Sequence, residues 1–206
     1  MLFHRFVLGE LSTNCYIVAD EITKNALLID APDNAEHIIT YLTEKGLNLK
    51  YILLTHGHFD HMLAMNDIKD KTNADICIHK MDEKYLTDGR LNLSADFYPN
   101  CCFYLPDRAL EDGDIIEMDS LSVKVLHTPG HTEGSVCYLC DNILMSGDTL
   151  FLSSVGRTDF PLGDFDSEIR SINEKLMPLA DEIKVYPGHG FSTTIGKERK
   201  ENPYIL

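Results

Sequence analysis

Four side chains of the kinds that bind metals stand within six positions, in the stretch THGHFDH at 55–61. Histidine nitrogens and aspartate oxygens are common metal ligands in proteins. The stretch follows KYILLT (50–55), a continuous apolar run typical of a buried strand. A strand that ends in so many ligands predicts a sheet with its functional site at the edge where the strand stops.

Three more ligand-type residues repeat this placement. His131 follows the strand-like run ending in KVLHTPG, Asp148 follows ILMSG, and His189 follows KVYPG. Loops at strand ends converge on one edge of a sheet, where α/β proteins keep their sites. We therefore expect these three residues to meet the ligands of the 55–61 stretch in space.

The number and spacing of these ligands favour a pair of metal ions. His56 and His58 are two residues apart and can project from an extended turn toward one ion, whereas Asp60 and His61 lie just beyond and point elsewhere. The whole set is too large for one tetrahedral ion, and a carboxylate can bridge two. We expect two divalent metals, with zinc favoured and iron or manganese as alternatives.

The order of strand and helix patterns predicts two similar α/β halves. Strands are predicted at 3–9, 14–20, 25–31, 50–55, 75–79, 114–118, 121–128, 135–140, 142–148 and 182–188. Helices are predicted at 34–45, 61–72, 82–86 and 166–177, with an irregular stretch at 88–110 and a polar tail. Such halves can pack sheet to sheet with helices on both outer faces.

Composition limits the partners and the location. The chain has 206 residues, 44% of them apolar, which suits one domain with a sizeable core. A net charge of −15 disfavours nucleic acid and anionic membrane as partners. With no signal peptide pattern and no membrane-length apolar run, we expect a cytoplasmic protein with reduced cysteines; its oligomeric state stays open.

Several other residues receive weaker predictions. Cys137 and Cys140 form a CxxC, but residues three apart on a strand point to opposite faces, so a core role is favoured over a shared metal. His127 either supports a metal ligand through a hydrogen bond or is a surface or core residue. Tyr98 and Tyr104, in the irregular stretch, either line the pocket or, as we favour, pack structurally.

Six motifs give the chain a resemblance to a known family. THGHFDH (55–61), TPGHTEGS (128–135), SGDTLF (146–151) and YPGHG (186–190) resemble the metallo-β-lactamase fold superfamily in type and order. SVGRTDFPLGD (154–164) and GFSTTIGKERKENPYI (190–205) resemble its short bacterial glyoxalase II-like hydrolases.

The resemblance implies a four-layer αββα sandwich, of the α/β (α+β) class, with metals at one edge. It implies that His56, His58 and His131 hold one metal, that Asp60, His61 and His189 hold the second, and that Asp148 bridges both. Only a short segment follows His189, so we expect a single domain over 1–206 without the C-terminal helical domain by which longer glyoxalase II enzymes bind glutathione. Glutathione specificity is therefore left open.

The function implied is hydrolysis of S-acyl-thiols such as S-lactoylglutathione by a metal-bridging hydroxide. Asp60 is expected to orient this nucleophile as well as to bind metal. A thiolate leaves readily, so the reaction needs no strong general acid. Arg157, Lys197 and Arg199 are candidate anchors for the substrate.

Other functions remain possible at this stage. A persulfide dioxygenase-like enzyme of the same superfamily would hold a single iron through His56, His131 and Asp148. A lactonase uses the same ligand set, and a metal-stabilised binding protein would use it without turnover. A nuclease is disfavoured by the negative charge, and an exported β-lactamase by the absence of an export signal.

Overall fold

The computed structural model describes residues 1–99 and 101–205, and its first half forms a six-stranded sheet. In spatial order the strands are β1 (Leu2–Leu8), β2 (Thr13–Ala19), β3 (Asn25–Ile29), β4 (Asn48–Leu53), β5 (Asp75–His79) and β6 (Arg108–Leu110). The first three pair antiparallel, and β3 to β6 pair parallel. The parallel strands therefore end at the same edge.

The second half forms another six-stranded sheet, in the order β14-β13-β10-β9-β8-β7. Its strands are β7 (Ile115–Met118), β8 (Leu121–His127), β9 (Val136–Cys140), β10 (Ile143–Gly147), β13 (Lys184–Pro187) and β14 (Thr193–Thr194). β10 and β13 pair parallel and the other neighbours antiparallel. A small hairpin of β11 (Leu150–Phe151) and β12 (Ser154–Val155) stands apart.

Helices cover the outer face of each sheet. α1 (Ala35–Lys45) and α2 (Met65–Thr72) pack on the first sheet, and α3 (Phe165–Ser171), continued by a π-helical turn at Ile172–Leu176, and α4 (Ile195–Glu201) pack on the second. A third apolar core lies between the sheets, where Leu27 and Leu53 share one cluster with Val125 and Met145. The predicted αββα sandwich is confirmed.

The CxxC prediction is confirmed by these cores. Cys137 belongs to the core under α3 and α4, whereas Cys140 belongs to the core between the sheets. The two thiols therefore lie on opposite faces of β9 and do not share a metal. All six cysteines are free. Within 1–99 and 101–205, none of the helices combines the length and hydrophobicity that a bilayer crossing requires.

The predicted helix at 61–72 begins later than expected. Phe59–His61 forms a 3₁₀ helix, and α2 begins only at Met65. The reason is a tertiary hydrogen bond: the His61 carbonyl accepts from the amide of Ala31 at 2.7 Å, and the amide of Ala64 donates to the Ala31 carbonyl at 2.9 Å. These bonds hold the segment against the end of β3 and interrupt the helical ladder.

Two further predictions need correction. The irregular stretch at 88–110 contains β6, which at three residues is too short to give a sequence pattern. The polar tail, for which no strand or helix is predicted, forms β14 and α4, with Ile195 and Glu198 buried against the second sheet. The side chain of Thr194 caps α4 by accepting from the amide of Lys197 at 3.2 Å.

Candidate metal centre

The structure brings all seven predicted ligands to one edge of the sandwich. His56 and His58 follow β4, Asp60 and His61 lie in the 3₁₀ helix behind it, His131 lies between β8 and β9, and Asp148 and His189 follow β10 and β13. The predicted convergence of these residues is therefore confirmed. It joins residues as far apart in the sequence as His56 and His189, which are separated by more than half of the chain.

Three of the ligands form what we call the three-histidine group: His56, His58 and His131. One ring nitrogen from each lies within 4.8 Å of the others, and all three rings are buried. The Nδ1 atom of His58 is 2.9 Å from Nε2 of His131. Nitrogens this close, on three separate rings, are arranged as ligands of one ion.

Asp60, His61 and His189 form a second set, the aspartate group, whose ligand atoms also lie within 4.8 Å of one another. Oδ2 of Asp60 is 3.5 Å from Nε2 of His61 and 3.2 Å from Nε2 of His189. The side chain of His189 is 30% exposed, so this group opens toward solvent.

Asp148 lies between the two groups. Its carboxylate oxygens are 3.7 Å from Nε2 of His131, 3.4 Å from Nε2 of His61 and 3.6 Å from Nε2 of His189. The position depends on Gly188, where a Cβ atom would come within 2.2 Å of Asp148 Oδ1. A carboxylate placed in this way can bridge two ions.

The donor set fits divalent metals. Among the described residues, the Nε2 atoms of His56 and His61 and Oδ1 of Asp148 are buried without a hydrogen-bond partner. Unpartnered buried polar atoms are costly, and here they all point into one cluster. Imidazole nitrogens with carboxylate oxygens are the ligands that zinc, iron and manganese accept.

Neighbouring groups fix the orientation of the ligand rings. His61 Nδ1 donates to Asp30 Oδ2 at 2.8 Å, and His131 Nδ1 donates to the Arg157 carbonyl at 2.7 Å. Both bonds leave Nε2 as the free ligand atom. Asp30 also accepts from the amide of Thr55 at 2.8 Å. Asp30 is not among the residues predicted from the sequence, although an aspartate directly after the apolar run NALLI is a visible signal.

A second missed residue, Asp82, joins two ligand loops. Its fully buried carboxylate accepts from the amides of Gly57 at 3.0 Å and Gly134 at 2.7 Å and from the hydroxyl of Thr132 at 2.7 Å. The loop carrying His56 and His58 is thereby tied to the loop carrying His131. Nothing in the sequence around Asp82 distinguishes it from a surface residue of a short helix.

Glu168 of α3 is a third missed residue. It is fully buried, and one of its oxygens accepts from the amide of His131 at 2.9 Å. Burial, with a smaller contribution from the nearby Asp148, outweighs the hydrogen bond from the His131 amide and raises the pKa of Glu168 to about 9, which favours the neutral carboxyl at neutral pH. The amphipathic pattern of the helix gave no sign of this contact.

The two groups differ in their electrostatics. Burial, together with the neighbouring histidines, holds the pKa of His56 well below its usual value and lowers the pKa of His58 to about 3. Burial likewise lowers the pKa of His131. Burial also opposes charge on His61, but Asp60, Asp30 and Asp148 outweigh it and raise the pKa of His61 well above its usual value.

An open cavity of about 1070 Å³ lies over the ligands. Tyr98 lines this cavity, so the structural packing role that we favoured for it from the sequence is wrong. Tyr104 is not among the lining residues, and its hydroxyl donates to Asp70 at 3.2 Å. The His127 ring stacks on His79 with centroids 3.9 Å apart and hydrogen bonds the Glu133 carbonyl. Among the hydrogen bonds of the described residues, none joins this ring to a ligand.

The three predicted anchors lie in different places. Arg157 lines the cavity and pairs with Asp159 through two hydrogen bonds of 2.8 and 2.7 Å. Lys197 and Arg199 are not among the described residues of the cavity lining. The Arg199 guanidinium instead donates to the carbonyls of Met177 and Leu179, at the end of the α3 segment. The structure therefore keeps only Arg157 beside the ligands.

Comparison with known proteins agrees with this architecture. The family model described as the metallo-beta-lactamase superfamily matches residues 8–189. The hydroxyacylglutathione hydrolase GloC of Haemophilus influenzae is 39% identical over 196 residues, which cover 93% of this chain and 92% of GloC.

Two solved structures are similar along their whole length. The BLEG-1 B3 metallo-beta-lactamase is 35% identical with a TM-score of 0.94, covering 100% of both chains. TTHA1623, solved in a di-iron-bound form, is 33% identical with a TM-score of 0.83, covering 98% of this chain and 99% of its own. The chain described here belongs to the metallo-beta-lactamase superfamily and is a metal-dependent hydrolase of that group.

Proposed function

We propose that this protein is a glyoxalase II-like thioesterase that hydrolyses S-acyl-thiols with two divalent metals. The observation that carries the proposal is the position of Asp148 between the three-histidine group and the aspartate group, at the floor of an open cavity. The 39% identity with GloC over nearly all of both chains supports a thioester as the substrate.

Two divalent metals supply the hydrolytic chemistry when bound, because they lower the pKa of water toward neutrality and polarise a carbonyl oxygen. We assign the first metal to His56, His58 and His131 and the second to the aspartate group. Asp148 serves both. Zinc is the metal that we propose, and the di-iron form of TTHA1623 makes iron the principal alternative.

Asp60 has a second role in this proposal. Its Oδ2 atom accepts a hydrogen bond from Thr13 Oγ1 at 3.0 Å, which orients the carboxylate beside His189. Held there, Asp60 can accept a hydrogen bond from the attacking water and direct it at the thioester carbonyl. The thiolate then leaves without a strong acid, since the pKa of a thiol is only about 8.5. Arg157 lies at the cavity wall to contact a polar group of the substrate.

We further propose that the protein is cytoplasmic and acts on a small molecule. Neither nucleic acid nor a membrane is a proposed partner. Its negative charge supports the exclusion of polyanions. β-Lactam hydrolysis is a second candidate function, favoured by the close similarity to BLEG-1.

The test combines metal analysis with a substrate panel. Protein purified without added metal should contain about two zinc ions per chain and release thiol from S-lactoylglutathione, a reaction that Asp148→Ala abolishes. Asp166→Ala, which removes an exposed aspartate of α3, is the matched control. One iron per chain with oxygen consumption on glutathione persulfide, or turnover only of a lactone or a β-lactam, would overturn the thioesterase proposal.

A further inference from the structure

One wall of the cavity is aromatic and open to the space above the ligands. The ring of buried Phe59, next to His58 in the chain, stacks on Phe97 with centroids 5.5 Å apart, and the Tyr98 ring lies 5.6 Å from Phe59. Phe97 is 68% exposed and belongs to the cavity lining. An exposed ring backed by a buried ring offers a rigid apolar surface.

The other wall is also apolar near the ligands. The Phe160 ring meets His58 edge-on with centroids 5.4 Å apart, and the Arg157 guanidinium lies 4.0 Å from the Phe160 centroid. Phe151 and Val155, from the β11–β12 hairpin, complete this side of the lining. Apolar surface thus faces the ligand groups from two sides, which favours an apolar substrate group beside the reacting carbonyl.

The charges around the cavity are negative. Glu10, Asp33 and Asp96 line it outside the two ligand groups. Within 1–99 and 101–205, Arg157 is the only arginine or lysine of the lining, and its charge is paired with Asp159 at 2.7 Å. The outer cavity therefore repels a substrate that carries several negative charges.

We propose that the natural substrate is a thioester with an apolar acyl group, carried on a thiol that is not polyanionic. Small biological thiols carry charged or strongly polar groups, so the acyl group is the part that can occupy the apolar walls. The acidic lining then disfavours carriers with several phosphates, such as coenzyme A. This inference rests on the proposed thioesterase function and narrows its substrate class.

The acyl preference is measured with thioesters of N-acetylcysteamine, a small neutral thiol. Across acetyl, butyryl and hexanoyl thioesters, kcat/KM should rise about fourfold for each methylene added, since each buried methylene is worth about 0.8 kcal/mol. In Phe97→Ala, kcat/KM should increase less with each added methylene. Ile22→Ala is the matched control, because Ile22 is 91% exposed and lies outside the cavity lining.

The charge preference is measured with one acyl group on two thiols. Hexanoyl-coenzyme A should have a kcat/KM at least about tenfold below that of the N-acetylcysteamine thioester at low salt, and the gap should narrow as salt screens the acidic lining. Asp96→Asn should also reduce the difference in kcat/KM between the two thioesters at low salt.

The outcomes separate the two proposals. If no thioester of either thiol, nor S-lactoylglutathione, is hydrolysed, the thioesterase function itself is wrong. If thioesters are hydrolysed but kcat/KM is flat or falls with acyl length, or if the coenzyme A thioester is preferred, the thioesterase stands and the substrate class is wrong. A length preference unchanged in Phe97→Ala overturns the assignment to the aromatic wall.

Discussion

The three-histidine group and the aspartate group share Asp148 but differ in charge and access. The first consists of buried, neutral imidazoles, whereas the second includes a carboxylate, Asp60, that is 14% exposed and a histidine, His189, that is 30% exposed. Two sites of one hydrolytic centre need not be equivalent. The closed group is therefore suited to hold an ion firmly, and the open group is suited to contact the substrate.

The supports behind the groups differ as well. Asp82 ties together the two loops of the three-histidine group, whereas Asp30 orients His61 of the aspartate group. Each support lies behind the ligands rather than in the cavity. The groups can therefore be perturbed one at a time.

The largest effect is expected from Asp148→Ala, because this residue faces both groups. We expect the metal content to fall below one ion per chain and kcat/KM to fall by more than about 100-fold. This effect exceeds the loss of about 10- to 100-fold that is typical when a residue supporting a metal ligand is mutated. Metal analysis after dialysis, together with thioester turnover, measures both. Retention of two ions would show that Asp148 is not shared.

Asp82→Asn should act mainly on the three-histidine group. The amide would present an N–H to a backbone donor, so one of the hydrogen bonds to Gly57 or Gly134 is lost and the two loops separate. We expect the affinity of that group for metal to fall about 10- to 100-fold. Competition against a chelator, with the cobalt absorption spectrum as a reporter of geometry, measures the change.

Glu198→Gln is the matched control for this variant. Glu198 is equally buried and accepts from the amide of Ser153 at 2.8 Å, from the side chain of Asn202 at 2.9 Å and from the hydroxyl of Thr193. Among the hydrogen bonds of the described residues, none joins it to the loops of the three-histidine group. It should lower the melting temperature without changing metal affinity. An equal loss of metal in both variants would mean that Asp82 acts only through general stability.

Asp30→Asn should produce the converse result. Asparagine offers only one, uncharged oxygen to the two donors His61 Nδ1 and the Thr55 amide, so the bond that keeps the proton of His61 on Nδ1 is weakened or lost, and the aspartate group should lose about tenfold in metal affinity. The three-histidine group should lose less, although Asp30 also accepts from the amide of Thr55 next to His56. Sequential metal titration distinguishes the groups; a larger loss from the three-histidine group would contradict the assignment.

A smaller effect concerns protons. The pKa of His61 and that of His189 are raised by neighbouring carboxylates, whereas the pKa values of His56, His58 and His131 are lowered by burial. At neutral pH the aspartate group must therefore release protons to bind metal, and its affinity should rise with pH more steeply than that of the other group. Calorimetry in buffers of different ionisation enthalpy counts the released protons. Release of equal numbers of protons when metal binds to each group would contradict this predicted difference in pH dependence.

The smallest effect is expected from His127→Ala. Its ring contacts His79 and the Glu133 carbonyl, and no hydrogen bond among the described residues joins it to a ligand. We expect the metal content to be unchanged and kcat/KM to stay within about twofold of the original value. The loss of metal affinity that follows mutation of a residue hydrogen bonded to a ligand is not expected here. A tenfold loss of metal affinity would restore the supporting role considered from the sequence.

Much of the fold and the ligand cluster could be predicted because both depend on local patterns. Apolar runs such as KYILLT mark strands, and a ligand at the end of each run is visible without knowledge of the partner strand. Elements with weak local signals were missed: β6 has three residues, and α4 buries only a few side chains within a polar segment. The start of α2 was misplaced because a bond to Ala31 interrupts the helix.

The sandwich class and the seven residues that converge at one edge could be predicted from the sequence alone, because apolar runs and the ligand-type residues that follow them are neighbours in the chain. Only the tertiary structure decided how the remaining polar residues serve them. Asp30 and His61 are 31 positions apart, and Asp82 and Thr132 are 50 apart. A buried carboxylate is recognised by the donors around it. Thr55 and His61 meet Asp30 within the first half of the chain, whereas Thr132 and Gly134 reach Asp82 from the second half.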